Sequence, residues 1–164
     1  MEKQKESKVR IRRLFDVEEA ETCARMMSTS EPWITLRRNY EDSLKQLTDP
    51  LKETYVATAQ DEIAGFTILN MKGPFVGYIQ TVCVAPQWRN QGIGSQLMAF
   101  AEKRIFTEAP NAFLCVSSFN TKAKDLYKRL GYEIIGELKD HIISGQSEIL
   151  MRKTIAPLTE FKKV

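Results

Sequence analysis

The spacing of hydrophobic residues along the chain predicts which segments fold as helices and which fold as strands. Apolar residues recur every three to four positions, as on the buried face of a helix, in the segments 17–28, 39–48, 94–107 and 120–130. Alternating or β-branched runs, typical of strands, occupy 9–15, 53–60, 62–71, 75–84, 112–118, 132–138 and 148–154. The predicted order is β-α-α-β-β-β-α-β-α-β-β, a mixed α/β sheet covered by helices.

Individual residues mark the ends of several of these elements. Asn120 stands where a helix N-cap belongs, and Gly131 stands where a C-cap glycine belongs. Gln60 and Asp61 separate two strand segments and predict a tight hairpin turn. The strand–helix–strand stretch 75–118 predicts parallel pairing of its strands through a right-handed crossover.

Length and composition are those of an ordinary globular protein. The chain has 164 residues, of which 43% are hydrophobic and 27% charged, so one hydrophobic core is expected. We therefore predict a single domain over 1–164, with its core in 9–154 between a charged N-terminal segment and a C-terminal tail. In the N-terminal segment, basic residues such as Lys3 and Lys5 alternate with acidic ones, which indicates a solvated terminus.

Charge, hydropathy and cysteine content narrow the class of protein further. A net charge of +3 is too small to indicate nucleic-acid binding. No apolar run approaches the ~20 residues of a membrane span, and no signal-peptide pattern opens the chain. The three cysteines are odd in number and far apart, which argues against a disulfide framework and a zinc site. We expect a cytoplasmic protein without a metal and without a membrane partner.

Two glycines stand directly before a predicted helix in the segment WRNQGIGSQL, residues 88–97. The start of a helix carries unpaired backbone N–H groups and a partial positive charge, so it favours an anion such as phosphate. The P-loop pattern needs a lysine after its last glycine, and this segment has none. The dinucleotide pattern GxGxxG needs a third glycine where Leu97 stands. Neither of these nucleotide-binding loops fits.

The segment instead resembles the phosphate-binding motif (Q/R)xxGx(G/A) of the GNAT superfamily of acyl-coenzyme A-dependent N-acyltransferases. Here it reads RNQGIG, from Arg89 to Gly94. A second segment, from Asn120 to Tyr132, resembles the family signature NxxAxxLYxxxG(F/Y). The resemblance covers 9–154 and agrees with the predicted element order. It implies a single-domain GNAT-like mixed sheet with acetyl-coenzyme A as acetyl donor.

The same resemblance implies roles for individual residues. The strands 75–84 and 112–118 would splay apart at a bulge and admit the pantetheine arm of coenzyme A, whose thioester oxyanion a backbone N–H would stabilise. Arg89 adds a charge at the pyrophosphate and can also hold the turn. Tyr127 would protonate the departing thiolate. The implied cofactor-binding residues are Val82, Cys83, Val84, Arg89, Asn90, Gln91, Gly92, Gly94, Ser95 and Asn120.

The general base is where the chain departs from common family patterns. Positions at which relatives carry a catalytic glutamate hold Gln80 and Cys115, and neither side chain accepts a proton as a carboxylate does. The remaining candidates, besides water without a dedicated base, are Glu31, Glu148 and His141. A ping-pong reaction through a cysteine thiol is disfavoured, because Cys83 has no basic neighbour in sequence to activate it.

The resemblance places the acceptor pocket between 28–40 and 139–147. There Glu31 and Asp140 could attract an ammonium group, and Trp33 could line the path of an aliphatic or peptide chain. Two functions remain. One is an N-acetyltransferase that moves an acetyl group directly from acetyl-coenzyme A to a primary amine of a peptide, protein or small molecule. The other is a non-catalytic coenzyme A-binding regulatory module. A homodimer is left open.

Overall fold

Seven strands form one mixed sheet in the order β1-β2-β3-β4-β5-β7-β6 in the computed structural model, which describes residues 8–164. The strands are β1 (Arg10–Arg13), β2 (Glu53–Ala59), β3 (Glu62–Asn70), β4 (Tyr78–Val84), β5 (Asn111–Ser117), β6 (Glu133–Lys139) and β7 (Ser147–Thr154). The helices are α1 (Val17–Ser28), α2 (Tyr40–Thr48), α3 (Ile93–Ile105) and α4 (Thr121–Arg129). The predicted element order is confirmed. The N-terminal lysines Lys3 and Lys5 lie outside the described residues.

The predicted element ends are confirmed at several positions. The Asn120 side chain accepts a hydrogen bond from the Ala123 N–H at 3.3 Å and caps α4. Gly131 follows α4 with φ +95. The hairpin between β2 and β3 turns at Gln60 and Asp61, both with positive φ (+51 and +64), as a two-residue hairpin turn requires.

The start of β4 differs from the prediction, because the strand begins at Tyr78 rather than at 75. Gly77 precedes it with φ +90, and a Cβ atom there would lie 2.4 Å from the Asn111 carbonyl oxygen. Only glycine fits so close to the neighbouring backbone in this conformation. The chain therefore enters β4 through a tight turn rather than as an extension of the strand.

Helices cover both faces of the sheet and divide the core. On one face α1 and α2 pack their apolar residues, among them Cys23, around Phe66 and Cys83 of the sheet. On the other face α3 and α4 pack over Leu114 and Met151. Among residues 8–164, none of the helices combines the length and the apolar character that crossing a membrane would require.

The sheet opens between β4 and β5. These strands pair in parallel, as predicted, but only at Tyr78 with Phe113 and at Ile79 with Leu114. On its other side β4 has a bulge against β3, because the register passes from Ile79 to Thr81 and leaves Gln80 as an extra residue. A bulge bends its strand and ends regular pairing. The splayed strands that the family resemblance implied are therefore present.

Candidate active site

A cleft of about 860 Å³ occupies the opening in the sheet. Residues of the α1–α2 region line it on one face of the sheet, and the starts of α3 and α4 line it on the other. Of the predicted site residues, the structure brings the following together along the cleft: Glu31, Trp33, Val82, Cys83, Val84, Arg89, Asn90, Gly92, Gly94, Ser95, Asn120 and Tyr127. Gln91 and Asp140 are not among the lining residues.

The glycine turn before α3 presents backbone N–H groups to the cleft. Gly92 takes a left-handed conformation (φ +80) as the N-cap of α3, with no side-chain cap on the helix start. A Cβ atom on Gly94 would meet only Val84 Cγ2, at 3.8 Å. The first turn of α3 is therefore open toward the cleft, and its unpaired N–H groups and helix dipole suit a pyrophosphate.

Arg89 braces this turn rather than reaching freely into the cleft. Its Nε donates to the Val84 carbonyl at 3.2 Å, and its Nη2 donates to Ser30 Oγ at 3.3 Å. Ser30 follows α1 and is buried, so the arginine ties the glycine turn to the α1–α2 loop. This geometry agrees with a turn-holding role for Arg89.

The side chains of the two residues that follow Arg89 in the motif point in different directions. Asn90 (φ +59) lines the cleft and accepts a hydrogen bond from Lys122 Nζ at 3.2 Å, which bridges the glycine turn and α4. The Gln91 side chain turns back and donates to the Gln87 carbonyl at 3.1 Å. Any contact of Gln91 with a ligand in the cleft therefore falls to its backbone N–H.

Alternation along β4 decides which of its backbone groups face the opening. The Ala85 N–H donates to the Ala64 carbonyl at 2.8 Å, so Ala85 bonds toward β3. Two residues earlier, Cys83 pairs with Phe66 and also bonds toward β3, because hydrogen-bonded pairs alternate in an antiparallel ladder. The N–H and C=O groups of Val82 and Val84 therefore face the opening. Those of Cys83 do not, which corrects the expectation that all three residues offer main-chain contacts.

Tyr127 reaches the cleft from the inner face of α4. Its ring packs against the α3–α4 core cluster, and burial raises the pKa of its phenol to about 12. The hydroxyl has no hydrogen-bond partner within residues 8–164. Tyr127 is thus a protonated donor at neutral pH in a desolvated wall of the cleft.

The face of the sheet under α1 and α2 carries a buried carboxylate in the same cleft. Glu148 on β7 is 5% exposed and stands in register opposite Ser117 on β5. Ser117 Oγ donates to Glu148 Oε1 at 2.6 Å. Tyr78 and Cys115 also line this part of the cleft. Burial raises the pKa of Glu148, and the Ser117 hydrogen bond and the charges of His141 and Arg38 oppose that rise.

The predicted acceptor residues are distributed unevenly around the site. Glu31 is exposed at the cleft wall, where its Oε2 accepts from the Thr35 N–H at 3.2 Å, and Trp33 is partly buried beside it. Asp140 is exposed, and its Oδ1 accepts from the Gly145 N–H at 2.7 Å within the β6–β7 loop. The structure thus gives Asp140 a loop-forming contact instead of a place in the cleft.

Three charged residues that the sequence did not single out, together with the candidate base His141, line a hollow beside the cleft. A hollow of about 620 Å³ adjoins the cleft between the α1–α2 loop and the β6–β7 loop. Arg37, Arg38, Asp42 and His141 line it. The sequence signal for these residues was weak, because charged residues in loops are most often simply solvated.

Comparison with known proteins agrees with this geometry. A profile described as the acetyltransferase (GNAT) family matches residues 15–132. The chain is 31% identical over 105 residues to the peptidyl-lysine N-acetyltransferase YjaB of Salmonella typhimurium, covering 62% of this chain and 66% of that protein. It is 35% identical over 95 residues to the aminoalkylphosphonate N-acetyltransferase of the same species, covering 53% of this chain and 60% of that protein. The chain therefore spans about two thirds or less of the length of these curated relatives.

The fold has close structural counterparts. A crystal structure of a GNAT-family protein from Desulfovibrio desulfuricans matches with a TM-score of 0.76 at 21% identity, covering 91% of this chain and all of that one (100%). At this identity the match shows the shared fold. The fold of this chain thus belongs to a known architecture.

Proposed function

Because the chain belongs to the acetyltransferase (GNAT) family, we propose that it transfers the acetyl group of acetyl-coenzyme A directly to a primary amine. The observation that carries the proposal is the opening between β4 and β5. One cleft there combines free backbone groups, a glycine turn at a helix start and a protonated tyrosine. These are the three elements that acetyl transfer from a thioester requires.

The donor binds from the side of α3 and α4. The N–H groups of the first turn of α3, near Gly92 and Gly94, hold the pyrophosphate. The pantetheine arm lies along β4 and pairs, as an added strand does, with the backbone of Val82 and with the Val84 N–H, because the Val84 carbonyl already accepts from Arg89 Nε. A backbone N–H of this edge also binds the thioester oxygen and stabilises the negative charge that develops there.

The reaction then proceeds through a tetrahedral intermediate. The neutral amine attacks the thioester carbon and forms the new C–N bond. The intermediate collapses with cleavage of the C–S bond, and the thiolate takes the proton of the Tyr127 hydroxyl. The proton that the amine loses leaves toward the acceptor side, and the phenol regains a proton from solvent, so charge and protons balance.

Direct transfer is favoured over a cysteine-bound intermediate. Two thiols line the cleft, and burial raises the pKa of the first of them, Cys115 on β5. The second, Cys83, is 2% exposed and packs among the residues beneath α1. Burial raises the pKa of Cys83 to about 12, so the nucleophilic thiolate is scarce at neutral pH.

A primary amine as acceptor is supported by two lines of reasoning. The relatives named for a peptidyl lysine and for an aminoalkylphosphonate differ in acceptor size but share an amino group. The acceptor side of the cleft also holds a buried carboxylate, Glu148, which complements an ammonium ion. Trp33 and Glu31 line the adjoining wall.

The test is a turnover assay of the full chain with acetyl-coenzyme A and a panel of amines. The panel contains a peptide with a free N-terminus, a lysine side-chain peptide, spermidine and 2-aminoethylphosphonate. Free thiol release and the mass of the acetylated amine are followed together. Equal amounts of both products from one of these amines support the proposal. Binding of acetyl-coenzyme A without thiol release from any of them would instead support a non-catalytic coenzyme A-binding module.

A further inference from the structure

We propose that Glu148 binds the ammonium group of the acceptor and removes its proton before the amine attacks the thioester. This inference rests on the proposed acetyl transfer. Glu148 on β7 would provide the carboxylate that this chain lacks at positions 80 and 115, where it has Gln80 and Cys115. Glu148 is then a catalytic residue, and Ser117 is the residue that positions it.

The side chains of Glu148 and Ser117 lie on the face of the sheet that α1 and α2 cover, which is the proposed acceptor side. On β5, Leu114 and Val116 pack into the α3–α4 core, so the alternating residue Ser117 faces α1 and α2. On β7, Met151 packs into the same core, so Glu148 also faces α1 and α2. The carboxylate thus stands on the face of the opening opposite to α3 and α4, from which the donor is proposed to bind.

The carboxylate has one oxygen fixed and one available. Ser117 Oγ donates to Oε1 at 2.6 Å, and this is the single hydrogen bond of the Glu148 side chain within residues 8–164. Oε2 has no protein donor there, although the residue lines the cleft. Because Glu148 lines the cleft, this free oxygen is open to an incoming ammonium group, which would supply the missing donor.

The surroundings of Glu148 suit a group that must both hold and release a proton. Tyr78 of β4 and Cys115 of β5 lie beside it, and Arg38 and His141 face it from the two acceptor loops. Burial favours the protonated carboxyl, whereas Ser117 and the two basic side chains favour the carboxylate. A base whose pKa is raised toward the working pH is more effective than an ordinary glutamate.

The other candidates for this role are less suitably placed. Glu31 is exposed, and its carboxylate already accepts a backbone N–H. Gln80 donates through its Nε2 to Gln46 Oε1 at 2.7 Å, so it fastens the bulge to α2. Among the glutamates that line the cleft, Glu148 is the buried one.

The experiment compares Glu148→Gln, Glu148→Asp and Ser117→Ala with the wild type, using the best amine of the panel. Glu137→Gln is the matched control, because Glu137 is exposed on the neighbouring β6 strand. We expect Glu148→Gln to lower kcat/KM by at least about 100-fold, to lose the acidic limb of the pH profile and to bind coenzyme A normally. Glu148→Asp should restore part of the rate. Ser117→Ala should move the limb to higher pH, because Ser117 lowers the pKa of Glu148.

Retention of both the rate and the acidic limb in Glu148→Gln would overturn the inference while leaving the proposed function intact. If the wild type turns over no amine, the proposed function fails, and an amine-binding measurement decides the inference separately. Butylamine is titrated into the coenzyme A-bound chain labelled with carboxyl-¹³C glutamate, and the Glu148 resonance is assigned by its loss in Glu148→Gln. Movement of that resonance with butylamine supports the inference, and a static resonance overturns it.

Discussion

Replacing Tyr127 with phenylalanine separates the chemistry of its hydroxyl from the packing of its ring. The ring packs against the α3–α4 core, and its centroid lies 6.1 Å from that of the Tyr132 ring. Phenylalanine keeps these contacts. The lost hydroxyl has no hydrogen-bond partner within residues 8–164, so the free energy of unfolding should change by less than about 1 kcal/mol.

The expected effect on catalysis is much larger than the effect on stability. A positioned general acid contributes about 10²- to 10⁴-fold to a rate, which corresponds to about 3 to 5 kcal/mol of transition-state stabilisation. Because burial raises the pKa of Tyr127 to about 12, the phenol stays protonated throughout an ordinary assay range. Tyr127→Phe should therefore lower kcat. Titration of Tyr127 should produce no limb in the pH profile of the wild type.

The assay measures kcat, the Kd for coenzyme A and the Tm of Tyr127→Phe beside those of Tyr132→Phe. Tyr132 is the matched control, because it is a tyrosine of the same core whose hydroxyl also lacks a partner in the described chain. Only the kcat of Tyr127→Phe should fall. An unchanged kcat, with single-turnover kinetics showing that chemistry limits the rate, would remove Tyr127 from the mechanism.

Further substitutions test other parts of the site and the fold. Gly94→Trp should abolish coenzyme A binding in calorimetry at unchanged Tm, since its side chain would project into the open cleft. Arg38→Gln should shift the acidic limb of kcat/KM to higher pH, because the Arg38 charge lowers the pKa of Glu148. Gly77→Ala should cost about 2 kcal/mol or more in urea unfolding, because its Cβ would lie 2.4 Å from a backbone oxygen. Gly73→Ala, with positive φ but open space, should cost less. If Gly73→Ala cost as much as Gly77→Ala, backbone strain alone would explain the loss.

The glycine turn and helix start on the proposed donor side were predictable because they are built from contiguous backbone. The segment from Arg89 to Gly94 carries its own turn and helix start, so a local pattern is sufficient to identify it. The expectation of a main-chain contact from Cys83 could have been narrowed from the sequence. Strict alternation along a strand assigns Val82 and Val84 to one edge and their neighbour to the other, and this signal was already present in the sequence.

The acceptor side was not predictable to the same degree, because it depends on pairing between distant strands. Ser117 and Glu148 are 31 residues apart in the chain and meet only through the β5–β7 register. The sequence left Glu148 as one candidate base among several, because burial, which would rank the candidates, depends on the fold. It also favoured Asp140, whose left-handed backbone (φ +52) and bond to Gly145 are the features of a loop residue.

In the proposed reaction, the bulge at Gln80 allows one sheet to serve both substrates. Without an extra residue, Ile79 and Cys83 would face the same side, since they are four positions apart. In the structure Ile79 packs into the α3–α4 core, whereas Cys83 packs beneath α1. The bulge thus reverses the facing of β4 at the point where its pairing with β5 ends. Beyond it, the free backbone edge is available to the donor, and the opening connects that edge to the face where Glu148 lies. The same local irregularity therefore creates both the proposed donor groove and its access to the proposed acceptor, so the two halves of the candidate site depend on one residue insertion in one strand.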